Sequence, residues 1–342
     1  MTGEPFHPSV RVPPGSPDAP EQRSSSDVVF RPYKEGDRDL WNRFVDGSKN
    51  GTFLHRRDFM EYHADRFHDA SLMVFTGDER LLAVLPCHRE GDRLVSHGGL
   101  TYGGVVTDEK MTGGRMVTLF EQLRVYMLDQ GVRHVSYKAI PHIYHRLPAE
   151  EDLYALFRVG ARLHRRDLLT VVKIAHAPRF RAGRRDGIRK ARRARLEVRE
   201  SRDLRGFWAL LEEQLLARHG VVPVHSLEEI QALAERFPDC VRQHGIYEEG
   251  ALLCGCTMFV SAQVAHVQYI ANGQRGRMLG ALDLLFDELI HRTYAAFRYF
   301  DFGSSTLDQG RGLNEGLAFQ KEGFGGRSVA HDFYEWDLLD GG

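Results

Sequence analysis

Two stretches of this chain repeat each other at one fixed interval. His55, Ala64, Arg66, Phe67 and Asp69 recur as His225, Ala234, Arg236, Phe237 and Asp239, each 170 positions on. Leu40/Leu210, Glu79/Glu249 and Leu82/Leu252 keep the same interval. The expected elements follow suit: a helix closed by Arg-Phe-x-Asp, then a strand, a short polar turn and a second strand. Solenoid repeats run to about 20–50 residues, whereas this period has the size of a domain. The chain therefore reads as two copies of one domain, 28–167 and 168–342. Residues 1–27, rich in Pro, Ser, Gly and charge, read as a disordered tail.

A length of 342 residues gives each copy enough chain to bury its own core. No apolar run of about 18 residues is present, so no membrane-spanning helix is expected, and the N-terminus has no charged-then-apolar signal pattern. Cys87, Cys240, Cys254 and Cys256 lie in apolar, strand-like stretches without zinc spacing, which suits reduced core cysteines, a cytoplasmic location and no metal. Net charge is −1, which excludes a polycation, and DNA is not an expected partner. Charge is nonetheless uneven: "RFRAGRRDGIRKARRAR" (179–195) holds nine basic residues and one acid. Arg184, Arg185, Arg189, Lys190, Arg192 and Arg193 are its candidate anion or RNA contacts. A solvated helix face is the plainer alternative.

Periodicity predicts helix, helix, meander, helix and strand, twice, which is an α/β (α+β) layout around a mixed, largely antiparallel sheet. In the first copy the strand at Val28–Pro32 precedes helices at Asp37–Asp46 and Arg57–Phe67. A meander at Ser71–Thr76, Leu81–Cys87 and Arg93–Ser96 leads to a helix at Gly114–Gln130 and a strand at Val132–Lys138. In the second, the basic helix and a strand at Leu196–Glu200 precede helices at Leu204–Arg218 and Leu227–Phe237. Three strands between Val241 and Ile270, a helix at Met278–Tyr294, a strand at Arg298–Phe302, a short helix at Leu313–Lys321 and a strand at Arg327–Trp336 follow.

Two segments carry candidate chemistry. In "AHVQYIANGQRGRMLGALDLLFDEL", strict alternation puts Ala265, Val267 and Tyr269 on one face and Val264, His266, Gln268 and Ile270 on the other. A glycine-containing loop then feeds a helix N-terminus, a natural anion site with Arg275 and Arg277 beside it. An ordinary strand–turn–helix with surface arginines fits equally. In "YFDFGSSTLDQGRGLNEGLAFQKEGFGG", Asp301 alternates with Phe300 and Phe302, as a proton acceptor or as the cap of a turn. Lys321, followed by Gly-Phe-Gly-Gly, could neutralise a carbonyl or phosphate oxygen. His142 and His145 sit in a loop without a carboxylate pattern and do not suggest a metal site. No G-x-S-x-G elbow, Walker loop or H-E-x-x-H motif supplies a nucleophile, phosphate cradle or zinc site.

The duplicated domain, the basic "IRKARRARLEV" opening the second copy and "YFDFG…GLAFQKEGFGG" together resemble the tandem GNAT-fold transferases of the Fem type. These are aminoacyl-tRNA-dependent peptidyltransferases, related to the wider GNAT N-acetyltransferases. Phe319-Gln320-Lys321 stands where that family has adjacent Phe and Lys, and Gly104 in "YGGVVTD" stands where it has proline. No heptad run builds the coiled-coil arm of some members. The resemblance implies an acyltransferase that moves an aminoacyl group from aminoacyl-tRNA to an amine by direct attack, without a covalent enzyme intermediate. Acetyl-CoA with an amino sugar or small amine is the alternative, because Arg277-Met278-Leu279-Gly280 fits part of a CoA pyrophosphate loop in which Leu282 fills the last small-residue slot. A non-catalytic pair that binds RNA or an anion is the reading from another class. Asp301, His266 and Lys321 would be catalytic. Gln268, Tyr269, Arg275, Arg277, Gly280, Phe319, Phe324 and Gly325 would bind the donor. His97, Tyr102, Gly103, Gly104, Lys138 and Tyr144 would bind the acceptor.

Overall fold

The structure, a computed structural model, describes residues 28–340; the N-terminal tail lies outside the described residues. The N-terminal half begins with β1 (Val28–Pro32), α1 (Arg38–Gly47) and α2 (Arg57–Met60). Next come β2 (Leu72–Thr76), β3 (Leu81–Leu85), β4 (His88–Glu90), β5 (Arg93–Val95) and β6 (Val106–Thr107). It closes with α3 (Gly113–Asp129), β7 (His134–Lys138) and α4 (Glu151–Arg158). The C-terminal half opens on β8 (Arg162–Lys173), α5 (Ala182–Arg193), β9 (Glu197–Ser201), α6 (Arg205–His219) and α7 (Leu227–Arg236). A meander of β10 (Val241–Glu248), β11 (Ala251–Val260) and β12 (Val264–Asn272) leads into α8 (Gln274–Leu279) and α9 (Ala281–Glu288). The chain ends with β13 (Tyr299–Ser304), β14 (Thr306–Leu307), β15 (Gly312–Leu313), α10 (Glu315–Glu322) and β16 (Arg327–Asp337).

A four-stranded sheet, β1-β2-β3-β6, and a ribbon of β14 and β15 flank one ten-stranded sheet of order β4-β5-β7-β16-β8-β13-β12-β11-β10-β9. Two pairs in the large sheet are parallel, β5 with β7 and β12 with β13; the other pairs among the described residues are antiparallel. The C-terminal strand β16 inserts between β7 and β8, so the ladder runs unbroken from one half into the other.

The matched residues behave alike where local geometry rules. Glu79 (φ 64°) and Glu249 (φ 49°) both take left-handed backbone in the hairpin turns before β3 and β11. Arg66 reaches Glu229 on α7, and Arg236 donates to the Asp58 carbonyl on α2, so each copy's arginine crosses to the other half. Phe59, Phe237 and Phe259 then pack together between the halves. Burying each ring is worth about 1.5–3 kcal/mol.

Three expectations differ. The helix expected over Arg57–Phe67 stops at Met60 and tightens into a 3-10 turn, Glu61–His63. The chain then returns so that Asp69 meets the buried Arg57 guanidinium at 2.6 Å. The helix expected over Met278–Tyr294 breaks at Gly280, whose φ of 74° separates α8 from α9. Third, no alternation marks Arg162–Lys173, yet it forms a strand of 12 residues, β8. Its charged first half is exposed on both faces and is held by backbone pairing to β16, a partner no local pattern reveals.

Candidate active site

The ten-stranded sheet forks where β12 and β13 part. Their parallel pairing covers Val264–His266 against Tyr299–Asp301 and stops there. Both strands are irregular just beyond. In β12, Tyr269 opposes Thr257 and Val267 opposes Met258, so Gln268 is a bulged extra residue. In β13 the register against β8 shifts between Asp301 and Ser304, around Gly303 with φ 71°. Bulges bend strands and re-aim side chains, which is how two paired strands can diverge within three residues.

The bulge also corrects the alternation expected for β12. Past Gln268 the faces exchange: Tyr269 joins the cluster of Val264, Trp208 and Phe259, while Ile270 packs with Ala265 and Val267. A one-residue slip moves every later side chain to the opposite face. Tyr269 thus bonds His225 Nδ1 at 2.5 Å, and His225 Nε2 meets the Tyr62 hydroxyl at 2.9 Å.

At the crotch of the fork, His266 Nδ1 lies 2.8 Å from Asp301 Oδ2, and the Tyr144 hydroxyl donates to the same oxygen at 2.7 Å. The Gly303 N–H donates to Asp301 Oδ1 at 2.7 Å. Burial alone would raise the Asp301 carboxyl. The adjacent His266 imidazole and these three hydrogen bonds outweigh it and hold the group below its ordinary value. An ionised Asp301 can only accept, so Nδ1 of His266 carries the proton between them, and Nε2 is the ring nitrogen turned away from the carboxylate. Tyr144 belongs to the first half, and the loop carrying it is clasped by Gln263, whose amide donates to the carbonyls of Ile143 and His145.

The cleft above this dyad has a volume of about 420 Å³. Of the residues singled out in the sequence it gathers Tyr102, Lys138, Tyr144, His266, Gln268 and Asp301 in its lining. Tyr102 and Tyr144 pack with ring centres 4.4 Å apart as one wall. Burial, with repulsion from Arg165, brings the Lys138 ammonium down to about 8, against the attraction of Asp167. Its Nζ donates to the Leu100 carbonyl.

Lys321 lies beneath the floor, 5% exposed, and donates to the carbonyls of Gly303 (3.0 Å) and Ser304 (2.6 Å). Burial lowers its ammonium to about 8, opposed by Asp301. It braces the β13 bulge from below.

Other named residues lie elsewhere. Gly103 carries no side chain because a Cβ would overlap the Ser96 carbonyl, and Gly104 (φ 80°) approaches the Tyr137 hydroxyl; both serve packing. His97 is buried with His63, Phe67 and His88 behind the cleft wall. Phe324 is 1% exposed in the core with Phe286 and Phe302. A Cβ on Gly325 (φ 86°) would press on the Pro178 carbonyl. Phe319 is exposed under the Arg181 guanidinium. Arg275 pairs with Glu248, and Arg277 donates to the Asn272 carbonyl.

The glycine-containing loop after β12 is itself helical, α8, and α5 packs on the N-terminus of the following helix, α9. Helix α5 crosses it so tightly that a Cβ on Gly280 would lie 2.6 Å from Gly187 Cα, and Arg184 of α5 pairs with Asp283 in the first turn of α9. Arg192 pairs with Asp287, Arg189 with Asp186, and Arg185 donates to the Phe180 carbonyl. Lys190 and Arg193 stay on the exposed face of α5.

Sequence reasoning passed over Arg165, Asp167 and His331, which also line the cleft. Arg165 holds Asp167 by two bonds of 2.9 and 2.6 Å, and His331 sits opposite Asp167 in the β8–β16 register. Their i, i+2 spacing on polar strands is the available signal, but it needs the pairing of β8 with β16 to become a site.

Residues 178–310 match the family described as Acetyltransferase (GNAT) domain. No curated protein sequence matches the chain. Among solved structures, FemX superposes with a TM-score of 0.63 at 11% identity, covering 90% of this chain and 97% of that one. The C-terminal domain of a putative lysylphosphatidylglycerol synthetase from Agrobacterium fabrum gives 0.58 at 14% identity, with 87% and 92% covered. L-PGS from Bacillus licheniformis gives 0.54 at 16% identity, with 78% and 83% covered. No helix among the described residues is long and apolar enough to cross a membrane. Residues 178–310 thus match a GNAT acetyltransferase domain, and the chain as a whole shares the fold of FemX.

Proposed function

We propose that the protein transfers an activated aminoacyl group from aminoacyl-tRNA to an amine, with His266 as general base. The observation that carries this reading is the Tyr144–Asp301–His266 relay at the open fork, where His266 Nε2 faces a cleft walled by both halves. The amine nitrogen attacks the donor carbonyl carbon and a C–N bond forms. His266 Nε2 takes the proton that the amine must lose, and the C–O bond to the ribose breaks. The same proton passes to the leaving oxygen, so His266 ends as it began. Asp301 fixes the tautomer and stabilises the imidazolium between these steps. Backbone N–H groups of β12 beyond its pairing with β13 would receive the oxyanion.

Two further residues support an amine-bearing acceptor that also carries an anionic group. Lys138 bonds only the Leu100 carbonyl among the described residues, and the Nε2 of buried His331 has no partner. The packing of α5 against Gly280 at the N-terminus of α9 supports RNA over CoA, since a CoA pyrophosphate would need room there. Lys190 and Arg193 offer phosphate contacts on the same helix. The GNAT acetyltransferase match favours the second reading, with acetyl-CoA as donor. The deciding experiment incubates the protein with a charged tRNA pool or with acetyl-CoA and a panel of amines, and follows amide formation. Transfer from tRNA that acetyl-CoA does not compete supports the proposal; transfer from acetyl-CoA alone replaces it.

A further inference from the structure

The cleft does not end at the dyad. Thr101 and Gln268 also line a second chamber of about 250 Å³, whose walls are rings: Phe59, Tyr62, His63, His225 and Phe259. Tyr62 stacks on His63 and on His225 with ring centres 4.1 and 5.2 Å apart, and His225 meets Phe259 edge-on. Two polar groups here lack hydrogen-bond partners. The bulged Gln268 has an unpartnered, buried Oε1, and both ring nitrogens of His63, 1% exposed, are unpartnered. Unsatisfied buried groups cost about 1–3 kcal/mol each, so they mark a place where a ligand group belongs.

We propose that this chamber is a subsite for a planar aromatic group bearing an N–H or O–H on its edge, carried by one of the two substrates. The inference rests on the acyl-transfer reading for the identity of those substrates. The rings supply stacking faces. Gln268 Oε1 asks for a donor, which an aliphatic group or a bare phenyl does not have. Among the described residues no carboxylate lines the chamber, and Arg66 in its wall disfavours a cation. Size agrees, since a cavity of about 150 Å³ takes benzene and this one is larger. Reach agrees as well. Gln268 is two residues from His266 along β12, about 7 Å, and a ring a few bonds from the reacting carbon or nitrogen extends about 5 Å.

The test separates the chamber from the chemistry. Calorimetry on the full chain measures binding of p-cresol, indole and toluene to the wild type, to Val224→Trp and to Gln268→Leu. Val224 is 75% exposed at the chamber rim, so the larger ring blocks the entrance without disturbing the core. The expected result is binding of p-cresol and indole about tenfold tighter than toluene, which is about 1.4 kcal/mol. That preference should vanish in Gln268→Leu, and all three ligands should weaken in Val224→Trp. Equal affinities in all three proteins, or no binding, overturn the subsite. Transfer assays then find the source. Faster turnover with tyrosyl- than alanyl-tRNA puts the ring on the donor; faster turnover with tyramine than propylamine puts it on the acceptor. Probe binding without transfer from any donor overturns the acyl-transfer reading and leaves the subsite. Transfer indifferent to the ring, without probe binding, does the reverse.

Discussion

Among the described residues the large sheet contains two forks, one filled and one open. In the first half, the parallel pair β5 and β7 parts after Val95–Ser136, as β12 and β13 part after His266–Asp301. The chain then fills its own first fork. Ser96 Oγ accepts from the Lys138 N–H at 2.6 Å, the Gly103 N–H donates to the Lys138 carbonyl, and Gly103 packs flush on Ser96. The second fork holds side chains at its crotch and a cleft above it. The difference teaches that the split of a parallel pair makes a site only when no backbone returns to close it. What separates the halves is the Gly-rich return over 103–104, absent from the corresponding place after β12.

The largest test of this contrast is kinetic. Replacing His266 by Ala is expected to cut kcat about 10²–10⁴-fold. Ser96→Ala, at the matching place in the filled fork, should leave kcat unchanged and cost about 1 kcal/mol of stability. Comparable kinetic losses in both would erase the distinction between the forks. Next in size, Gly103→Ala should destabilise the protein by about 1–3 kcal/mol, because a methyl there has only the Ser96 carbonyl to displace. Urea denaturation checks it, and an unchanged midpoint would mean that the first fork is not closed by this contact.

The third test sharpens the role of the open fork. Tyr144→Phe removes a hydrogen bond that keeps Asp301 ionised, so its carboxyl rises. Because the folded value of Asp301 is depressed, its contribution to stability is present above the unfolded pKa of about 3.9 and is lost as pH falls through the folded value. The variant should therefore be less stable at neutral pH, with a gap that narrows below about pH 4, and the acid limb of its rate profile should move upward. A gap independent of pH would assign Tyr144 to packing alone.

Smaller still is the effect of Lys321. Its ammonium titrates near 8 in the fold and near 10.4 unfolded, so the unfolded chain binds more protons between those values and stability rises with pH across that window. Lys321→Met should reduce the rise; Lys138, also near 8, supplies the remainder. An identical slope in both proteins would show that Lys321 is not buried as a cation. Smallest, Lys190→Ala and Arg193→Ala should each lower the salt slope of tRNA binding by about one. Unchanged slopes would remove α5 from the RNA contact.

The legible parts of the molecule were those with a local cause. The strands at Val28–Pro32, Leu72–Thr76 and Leu81–Leu85 follow from short apolar runs between polar turns, but the third strand expected in that meander, Arg93–Val95, leaves it for the large sheet, where it pairs with β4 and β7. The helix that became α3 follows from its stripe and from Gly131, left-handed at φ 72°. His266 and Asp301 stood out because polar groups on apolar strands need a reason. Alternation puts Tyr269 on the wrong face because a bulge carries no composition signal: Gln268 bulges in the pairing of β12 with β11, between the partners of Met258 and Thr257. Phe324 and Gly103 resemble binding residues in their motifs, yet the core claims one and the filled fork the other.

The sequence alone determined an α/β chain, its repeat, the polar residues on its apolar strand ends and its basic helix, because each depends on neighbours a few residues apart or on a comparison of the chain with itself. Only the tertiary structure decided that Tyr144 bonds Asp301 across the halves, that Arg165, Asp167 and His331 share its cleft, and that α5 packs on the N-terminus of α9. Those outcomes depend on the β8–β16 register and on two bulges, where backbone hydrogen bonding between distant strands, rather than side-chain preference, selects what meets.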